Sequence, residues 1–413
     1  MSGLTRDEVA ARDADDPLAP FRDRFLLPDG LIYLDGNSLG PVPKATVAAV
    51  ARTVEVEWGR DLIAAWNKHG WIDLQLRVGE AIGRLIGAQP GEVVVADSTS
   101  VNLFKLLAAA LRLRPGRRAV VSERGNFPTD LYIVQGLGGL LGGRLELRLV
   151  EADGIEAALD GGVAALMLTH VDYRTGRVHD MARLTEAAHA AGALALWDLA
   201  HSAGALPLDL AGCGADLAVG CGYKYLNGGP GAPAFLYVAE RLQGEARQPL
   251  AGWFGHARPF AFDPEYRPAA GITRFQCGTP PVLSLRALEA GVGLAAEADL
   301  RLVRAKSVAL TDLFIRLVER ECGGHGFALA SPREGAVRGS QVSLRHPEGY
   351  PIVQALIRRG VVGDFRSPDI LRFGFAPLYV RYGDVWDAVA TLREVMETRA
   401  WDRPEFKVWA AVT

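Results

Sequence analysis

An aspartate closes the apolar run ending Trp197-Asp198. A lysine, Lys224, follows 26 residues later in Gly220-Cys-Gly-Tyr-Lys-Tyr-Leu-Asn-Gly-Gly-Pro-Gly231, just past another apolar run. A strand-end carboxylate and a downstream loop lysine are the parts that pyridoxal 5'-phosphate requires. The lysine forms a Schiff base with the aldehyde, and the carboxylate pairs with the pyridine nitrogen and keeps the ring an electron sink. Alone, such a pair is more often an incidental loop pair. The flanking His201, Tyr223 and the glycine-rich turn favour the cofactor reading. A phosphate site must then lie upstream. Val93-Val-Val-Ala-Asp-Ser-Thr-Ser-Val-Asn102 reads as a strand running into a helix start. Its first-turn N–H groups, with the Thr99 and Ser100 hydroxyls, suit a dianion. The plain alternative is a serine or threonine helix cap. Phe127, in Phe127-Pro128-Thr129-Asp130, is placed to stack on a flat ring or to anchor a loop.

Other chemistries lack their signatures. There is no GxxxxGK[ST] phosphate loop, and the run Gly136-Leu-Gly-Gly-Leu-Leu-Gly-Gly143 does not fit GxGxxG after a strand. It reads as a glycine-rich loop at a helix end. The eight histidines form no HExxH or HxxxH, so no metal site is expected. Four cysteines without a CxxC exclude a disulfide scaffold and a zinc ribbon.

These residues need a frame, and the pattern supplies one. From residue 90, short apolar runs alternate with helical segments, at Val93–Ala96, Arg118–Ser122, Glu146–Val150, Ala164–Thr169, Leu194–Trp197, Leu217–Gly220 and Phe235–Val238. Such nearly uniform runs suit strands covered on both faces, so the spacing predicts an α/β fold with a mostly parallel seven-stranded sheet. Single helices are expected over about Lys44–Trp58 and Leu74–Ile86. A long helical stretch from Val282 towards Glu321 is expected in two pieces. A compact α+β tail follows, with a strand at Val361–Asp364 among its elements. The expected organisation is an N-terminal arm (1–45), a large cofactor-binding domain (46–281) and a small C-terminal α+β domain (282–413). The 413 residues carry 45 Lys and Arg against 48 Asp and Glu, net charge −3, which argues against a nucleic-acid binder. The longest stretch without Asp, Glu, Lys or Arg, Tyr225–Ala239, is broken by glycines and prolines and falls short of the roughly 20 residues of a membrane span. With a charged N-terminus that lacks a signal-peptide core, the expectation is a cytoplasmic protein without membrane or nucleic-acid partners.

Taken together, the motifs resemble the kynureninase family, pyridoxal-phosphate enzymes of the aspartate aminotransferase fold type (fold type I) and its class V group. The resemblance covers nearly the whole chain. It rests on YLDGNSLG at 33–40, DSTSVN at 97–102, FPTD at 127–130, THVDYRTG at 169–176, WDLAHSAGA, GYKYLNGGPGAP, AGWFGH at 251–256, RFQCGTPP at 274–281 and LRFGFAPLY at 371–379. WDxAHSxG is shared with cysteine desulfurases, so it speaks to fold and cofactor more than to reaction. A cysteine desulfurase or lyase of the same class is therefore the rival reading, and it requires a nucleophilic cysteine. Neither Cys277 nor Cys322 has the expected context.

The resemblance implies roles residue by residue. Lys224 corresponds to the Schiff-base lysine and proton shuttle, and Asp198 to the pyridine partner. Phe127, Pro128, Thr129 and Asp130 form the ring-side turn, with Thr169 and His201 also beside the ring. Thr99, Ser100 and Tyr223 correspond to phosphate ligands, and Tyr223 is also the candidate donor to the oxyanion. Trp253 and Thr279 match positions that reach the cofactor from a neighbouring subunit, which implies a homodimer with shared active sites. Arg372 corresponds to the α-carboxylate clamp, suited to it by its planar bidentate fork. Asn37, Ser38, Trp66, Gly278 and Thr279 correspond to the substrate pocket. Trp66, Gly278 and Thr279 differ from the His, Ser and Asn of animal relatives that prefer the hydroxylated substrate, so kynurenine itself is the expected preference. The implied reaction is hydrolysis of L-kynurenine to anthranilate and L-alanine, in tryptophan catabolism.

Overall fold

A computed structural model describes residues 5–410. The termini of the expected arm and C-terminal domain, residues 1–4 and 411–413, lie outside the described residues. The chain forms two compact units, one of Ala45–Asp172 with His179–Ala296, the other of the residues up to Lys44, Tyr173–Val178 and those from Glu297 onward. The N-terminal arm thus shares a unit with the C-terminal region. The helix Val282–Ala296 belongs to the larger unit, where the sequence reading opens the small domain at 282.

In the larger unit a seven-stranded sheet runs, edge to edge, Val93–Val95, Phe235–Val238, Leu217–Gly220, Leu194–Asp198, Val163–Thr169, Ala119–Glu123, Glu146–Val150. Only Phe235–Val238 is antiparallel to its neighbours. Every residue of Val163–Thr169 and Leu194–Asp198 is buried, as the unbroken apolar runs require. Ala165, Met167, Leu194, Leu196, Leu217, Val219, Leu236 and Val238 share one core cluster with Leu103, Leu106 and Leu107 of the helix Thr99–Leu113 and Val134 and Leu137 of the helix Pro128–Leu140. Strand alternation and helical spacing so put one stripe of each element into a single layer.

Two local readings change. The glycine-rich run is not a loop from its start. The helix Pro128–Leu140 continues through Gly136, Gly138 and Gly139, and only Gly142 and Gly143 turn left-handed, at φ +67° and +76°. A proline in its first turn and the buried Leu131, Val134 and Leu137 outweigh the low helix propensity of glycine. The expected single helix 44–58 is α-helical over Lys44–Arg52 and then π-helical over Thr53–Trp58. The wider turn accompanies a buried Glu57, which accepts from Trp71 Nε1 at 2.7 Å and Arg286 Nη2 at 3.0 Å.

In the other unit, a four-stranded antiparallel sheet runs Asp364–Arg366, Ile370–Gly374, Gln341–Arg345, Ala328–Leu329. The expected strand Val361–Asp364 is two elements. Val361–Val362 pairs in parallel with Ile32–Tyr33 of the arm, whereas Asp364–Arg366 pairs with Ile370–Gly374. Gly363 makes the break: a Cβ there would stand 2.9 Å from the Arg372 carbonyl oxygen. Asp35 bridges to Gly374, so the LDGNSLG segment is stitched beside the strand that carries Arg372.

Candidate active site

In the larger unit the candidate residues gather at the carboxyl ends of the parallel strands, where open α/β sheets place their ligand crevice. Asp198 ends its strand in register with Thr169 on the neighbouring strand. The turn Leu199–Ser202 that follows carries His201, and Asp198 Oδ1 accepts from Ala200 N at 2.7 Å. Lys224 leaves a tight loop held by Asn227 N to Lys224 O at 3.0 Å and Gly228 N to Gly222 O at 2.8 Å. Asn227 is left-handed, at φ +53°. A Cβ on Gly222 would stand 2.6 Å from Pro233 O, so this turn needs its glycine. Lys224 Nζ lies 2.9 Å from His201 Nε2.

Asp130 enters from the first turn of Pro128–Leu140. It is 1% exposed and Asp198 4%. Burial, the Asp198 charge and a hydrogen bond to Asp198 hold the Asp130 carboxyl well above the usual carboxylate range. Burial also raises Asp198, against the opposing pull of Lys224 and Ala200 N. One cation faces two buried carboxyls, so the proton stays on Asp130 and the negative charge on Asp198. Asp130 Oδ2 is buried with no hydrogen-bond partner among the described residues. A ring N–H donor arriving beside this pair would meet the carboxylate of Asp198, as a pyridinium would.

The turn that presents Asp130 is itself supported. Ser122 Oγ donates to Met167 O at 2.7 Å, Asn126 Nδ2 to Ser122 Oγ at 3.0 Å, and Phe127 N to Asn126 Oδ1 at 2.7 Å. Phe127 is left 40% exposed. Ser122 and Asn126 were missed from the sequence. Asn126, directly before FPTD, was the available signal. At the start of the helix Thr99–Leu113 the cap is Ser98, which accepts from Val101 N at 3.4 Å. The capping role therefore falls on Ser98, and the Thr99 and Ser100 hydroxyls occupy the first turn proper. Burial raises the Tyr223 hydroxyl pKa, so Tyr223 holds its proton at neutral pH. Burial raises all four thiols as well, Cys322 to about 11, so none is poised as the thiolate that a desulfurase reading needs.

Trp66 lies in an aromatic cluster, with ring centroids 5.9 Å from Trp71 and 5.8 Å from Phe254. Trp253 joins it edge-on to Phe254 at 4.5 Å. Gly278 and Thr279 are exposed. Among the described residues, no group of three His, Cys, Asp or Glu is placed to hold a metal ion, and no helix is long and apolar enough to cross a membrane.

In the other unit Arg372 is 2% exposed, so it is not a surface charge. Its Nε donates to Asp364 Oδ1 at 2.8 Å, its Nη2 to Ser38 Oγ at 2.8 Å and to Asp364 Oδ2, and its Nη1 to Tyr173 O at 2.8 Å. Arg366 Nη2 also donates to Asp364, at 2.7 Å. Burial pushes Asp364 up, but Arg372, Arg366 and Ser38 outweigh it and hold the carboxyl below its usual range. Burial and the Asp364 charge push Asp35 up to about 7. Asn37 is fully buried, and neither amide atom is hydrogen-bonded among the described residues. It packs on Gly374, where a Cβ would stand 2.1 Å from Asn37 Oδ1. Asp35, Asp364 and Arg366 were not among the sequence candidates.

The fold and the Lys224–Asp198 site define a class first. Residues 32–343 match the aminotransferase class-V family, and residues 303–392 match the kynureninase C-terminal domain. Among solved structures, the cysteine desulfurase of Escherichia coli aligns with TM-score 0.75 at 20% identity, covering 92% of this chain and 98% of that one. A mutant of the cystine C–S lyase C-DES, with glycine covalently linked to its pyridoxal-phosphate cofactor, aligns at 0.76 and 19%, covering 90% and 99%. At such identities the likeness is one of fold. A kynureninase of Burkholderia pseudomallei is 55% identical over 99% of this chain and all of its own length, and one of Pseudomonas fluorescens is 53% identical over the same shares. The chain belongs to the kynureninase family. It is a hydrolase of carbon–carbon bonds, and pyridoxal phosphate is its cofactor.

Proposed function

We propose that this chain hydrolyses L-kynurenine to anthranilate and L-alanine, with Lys224, Asp198, Tyr223 and Arg372 in distinct roles. The observation that carries the reading is the buried Asp130–Asp198 pair facing Lys224 and His201. Bound pyridoxal phosphate supplies an aldehyde for the substrate amine and a sink for the electrons released at Cα. Asp198 holds the ring nitrogen protonated, and protonated Asp130 keeps the second carboxyl from adding charge beside it. Phe127, with Pro128 and Thr129 shaping its turn, and Thr169 would hold the ring. The helix start with Thr99 and Ser100 binds the phosphate. Lys224 Nζ would take the proton from the substrate Cα, with His201 Nε2, 2.9 Å away, orienting it. Tyr223 Oη donates to the ketone oxygen as water adds to the side-chain carbonyl, before the Cβ–Cγ bond breaks.

Arg372 grips the α-carboxylate. In the structure Asp364 takes Nε and Nη2, Ser38 Oγ also accepts from Nη2, and Tyr173 O accepts from Nη1, so a substrate carboxylate would take the fork by displacing Ser38 or Tyr173 O. Asn37 and Ser38 belong to the same carboxylate side, while Trp66, Gly278 and Thr279 form the aryl end. The assembly is a homodimer in which Trp253 and Thr279 complete the partner's site. The exposed Trp58, Leu62, Ile63, Phe260 and Phe262 support this, as apolar surface of that kind marks an interface. The free cysteines suit a cytoplasmic enzyme. The test is incubation of the purified, cofactor-loaded protein with kynurenine. Equimolar anthranilate and alanine are expected. Sulfide from cysteine without anthranilate from kynurenine would overturn the reading.

A further inference from the structure

Lys105 lies on the helix Thr99–Leu113, and its side chain is wholly buried. An ammonium removed from water is costly unless its donors are met. Lys105 Nζ donates to the Asp97 carboxylate and, at 2.6 Å, to Phe275 O. These partners lie on different segments. Asp97 stands directly before the phosphate-loop residues Ser98, Thr99 and Ser100, and its backbone is left-handed at φ +47°, a strained region for a residue with a Cβ. Phe275 leads through Cys277 into Gly278 and Thr279. A third segment joins through Cys277 O, which accepts from Phe254 N at 3.1 Å. Gly252 packs so close there that a Cβ would stand 2.4 Å from the same oxygen. The turn bearing Trp253 is thereby fixed to this node. One buried cation ties together the segments that carry Thr99 and Ser100, Trp253, and Thr279.

We propose that Lys105 is a positioning residue for the cofactor phosphate. It holds Asp97 in its left-handed turn, so the helix start and its hydroxyls stand in one preformed arrangement, and it locks the 275–279 segment to that loop. The proposal rests on the reading of Thr99 and Ser100 as phosphate ligands. It distinguishes Lys105 from a residue that merely holds the fold together. A structural residue supports every ligand alike, whereas Lys105 supports only what the phosphate contributes.

The experiment compares pyridoxal phosphate with pyridoxal, which lacks the phosphate, as ligands of the apoenzyme. Dissociation constants are read from visible absorbance and tryptophan fluorescence. Lys105→Met removes the donors and keeps most of the side-chain volume. The expected result is that Lys105→Met weakens pyridoxal phosphate by about tenfold or more, and pyridoxal by less than about twofold. If Lys105→Met does not fold, Asp97→Asn must show the same selective loss. Equal weakening of both ligands, or of neither, overturns the proposal. A Thr99→Val, Ser100→Ala double variant tests the underlying reading separately. If it leaves the preference for the phosphorylated ligand intact, the phosphate site itself is misplaced. If it abolishes that preference while Lys105→Met does not reduce it, only the role of Lys105 falls.

Discussion

Replacing Arg372 by lysine keeps a positive charge on the strand Ile370–Gly374 but removes a planar fork that works in several directions. In the native chain the fork binds Asp364 through Nε at 2.8 Å, Ser38 through Nη2 at 2.8 Å and Tyr173 O through Nη1 at 2.8 Å. A lysine ammonium has three donors around one atom and cannot span Asp364 and a substrate carboxylate together. Loss of a buried charge-assisted bond to the carboxylate corresponds to about 2–4 kcal/mol, or about 30- to 1,000-fold in kcat/KM. The assay is steady-state anthranilate release by Arg372→Lys, alongside kynuramine, which lacks the carboxylate. The loss is expected with kynurenine and not with kynuramine. Asp364 keeps Arg366 as a partner, so the variant is expected to fold. A folded Arg372→Lys enzyme with kcat/KM within about threefold of wild type would refute the clamp, since a bond worth that little is not a buried ionic one.

Borohydride treatment of the native holoenzyme should leave the reduced cofactor on the peptide containing Lys224, and Lys224→Ala should bind pyridoxal phosphate weakly without turnover; label on another lysine contradicts the assignment. Asp35 is pushed up to about 7 in the folded chain. Between about pH 4 and 7 the folded state keeps a proton that the unfolded state has released, so this group makes stability fall as pH rises through that window. Asp35→Asn should flatten that slope and raise the urea midpoint above pH 7, and an unchanged pH profile would show Asp35 ionised throughout. The wild type should prefer kynurenine to 3-hydroxykynurenine, because an unpartnered buried hydroxyl costs about 1–3 kcal/mol. Trp66→His with Gly278→Ser and Thr279→Asn should erode that preference, and a folded, cofactor-loaded triple variant with an unchanged kcat/KM ratio would remove these residues from the aryl pocket.

The strands of the large sheet were legible because burial on both faces leaves unbroken apolar runs, and polar residues ending such runs, Asp198 and Thr169, stand out against them. Lys224 was legible through the turn chemistry around it. The remainder was hidden for identifiable reasons. Ser98, Thr99 and Ser100 are chemically alike, and only the backbone decides that the cap is Ser98. Lys105 was not singled out, because nothing local announces that Asp97 and Phe275 will bind its ammonium. Asp364 meets Ser38 from 326 positions away, a pairing that no window along the chain contains. The π-helical turn at Thr53–Trp58 preserves an amphipathic pattern and so reads as ordinary helix.

What the site clusters share is buried charge. Asp130 and Asp198 beside Lys224, Lys105 against Asp97, and Arg372 with Asp364 each put at least one charged group where water cannot reach it well. Apolar side chains of similar volume would often give equal or greater stability at such positions, so stability alone does not account for them. Their geometry does. Each cluster fixes a polar group at the edge of a place where a charged ligand atom is expected: a ring nitrogen at Asp198, a phosphate at Thr99 and Ser100, a carboxylate at Arg372. A preformed charge needs little reorganisation when its ligand arrives, and binding energy otherwise spent on ordering remains for the reaction. On this argument, neutralising the supporting member of a cluster should cost ligand binding more than it costs folding. Asp97→Asn and Asp364→Asn should then lower affinity for phosphate-bearing and carboxylate-bearing ligands respectively, and each should leave the other ligand's affinity untouched. Equal effects of both variants on both ligands would mean that these charges serve the fold and not the site.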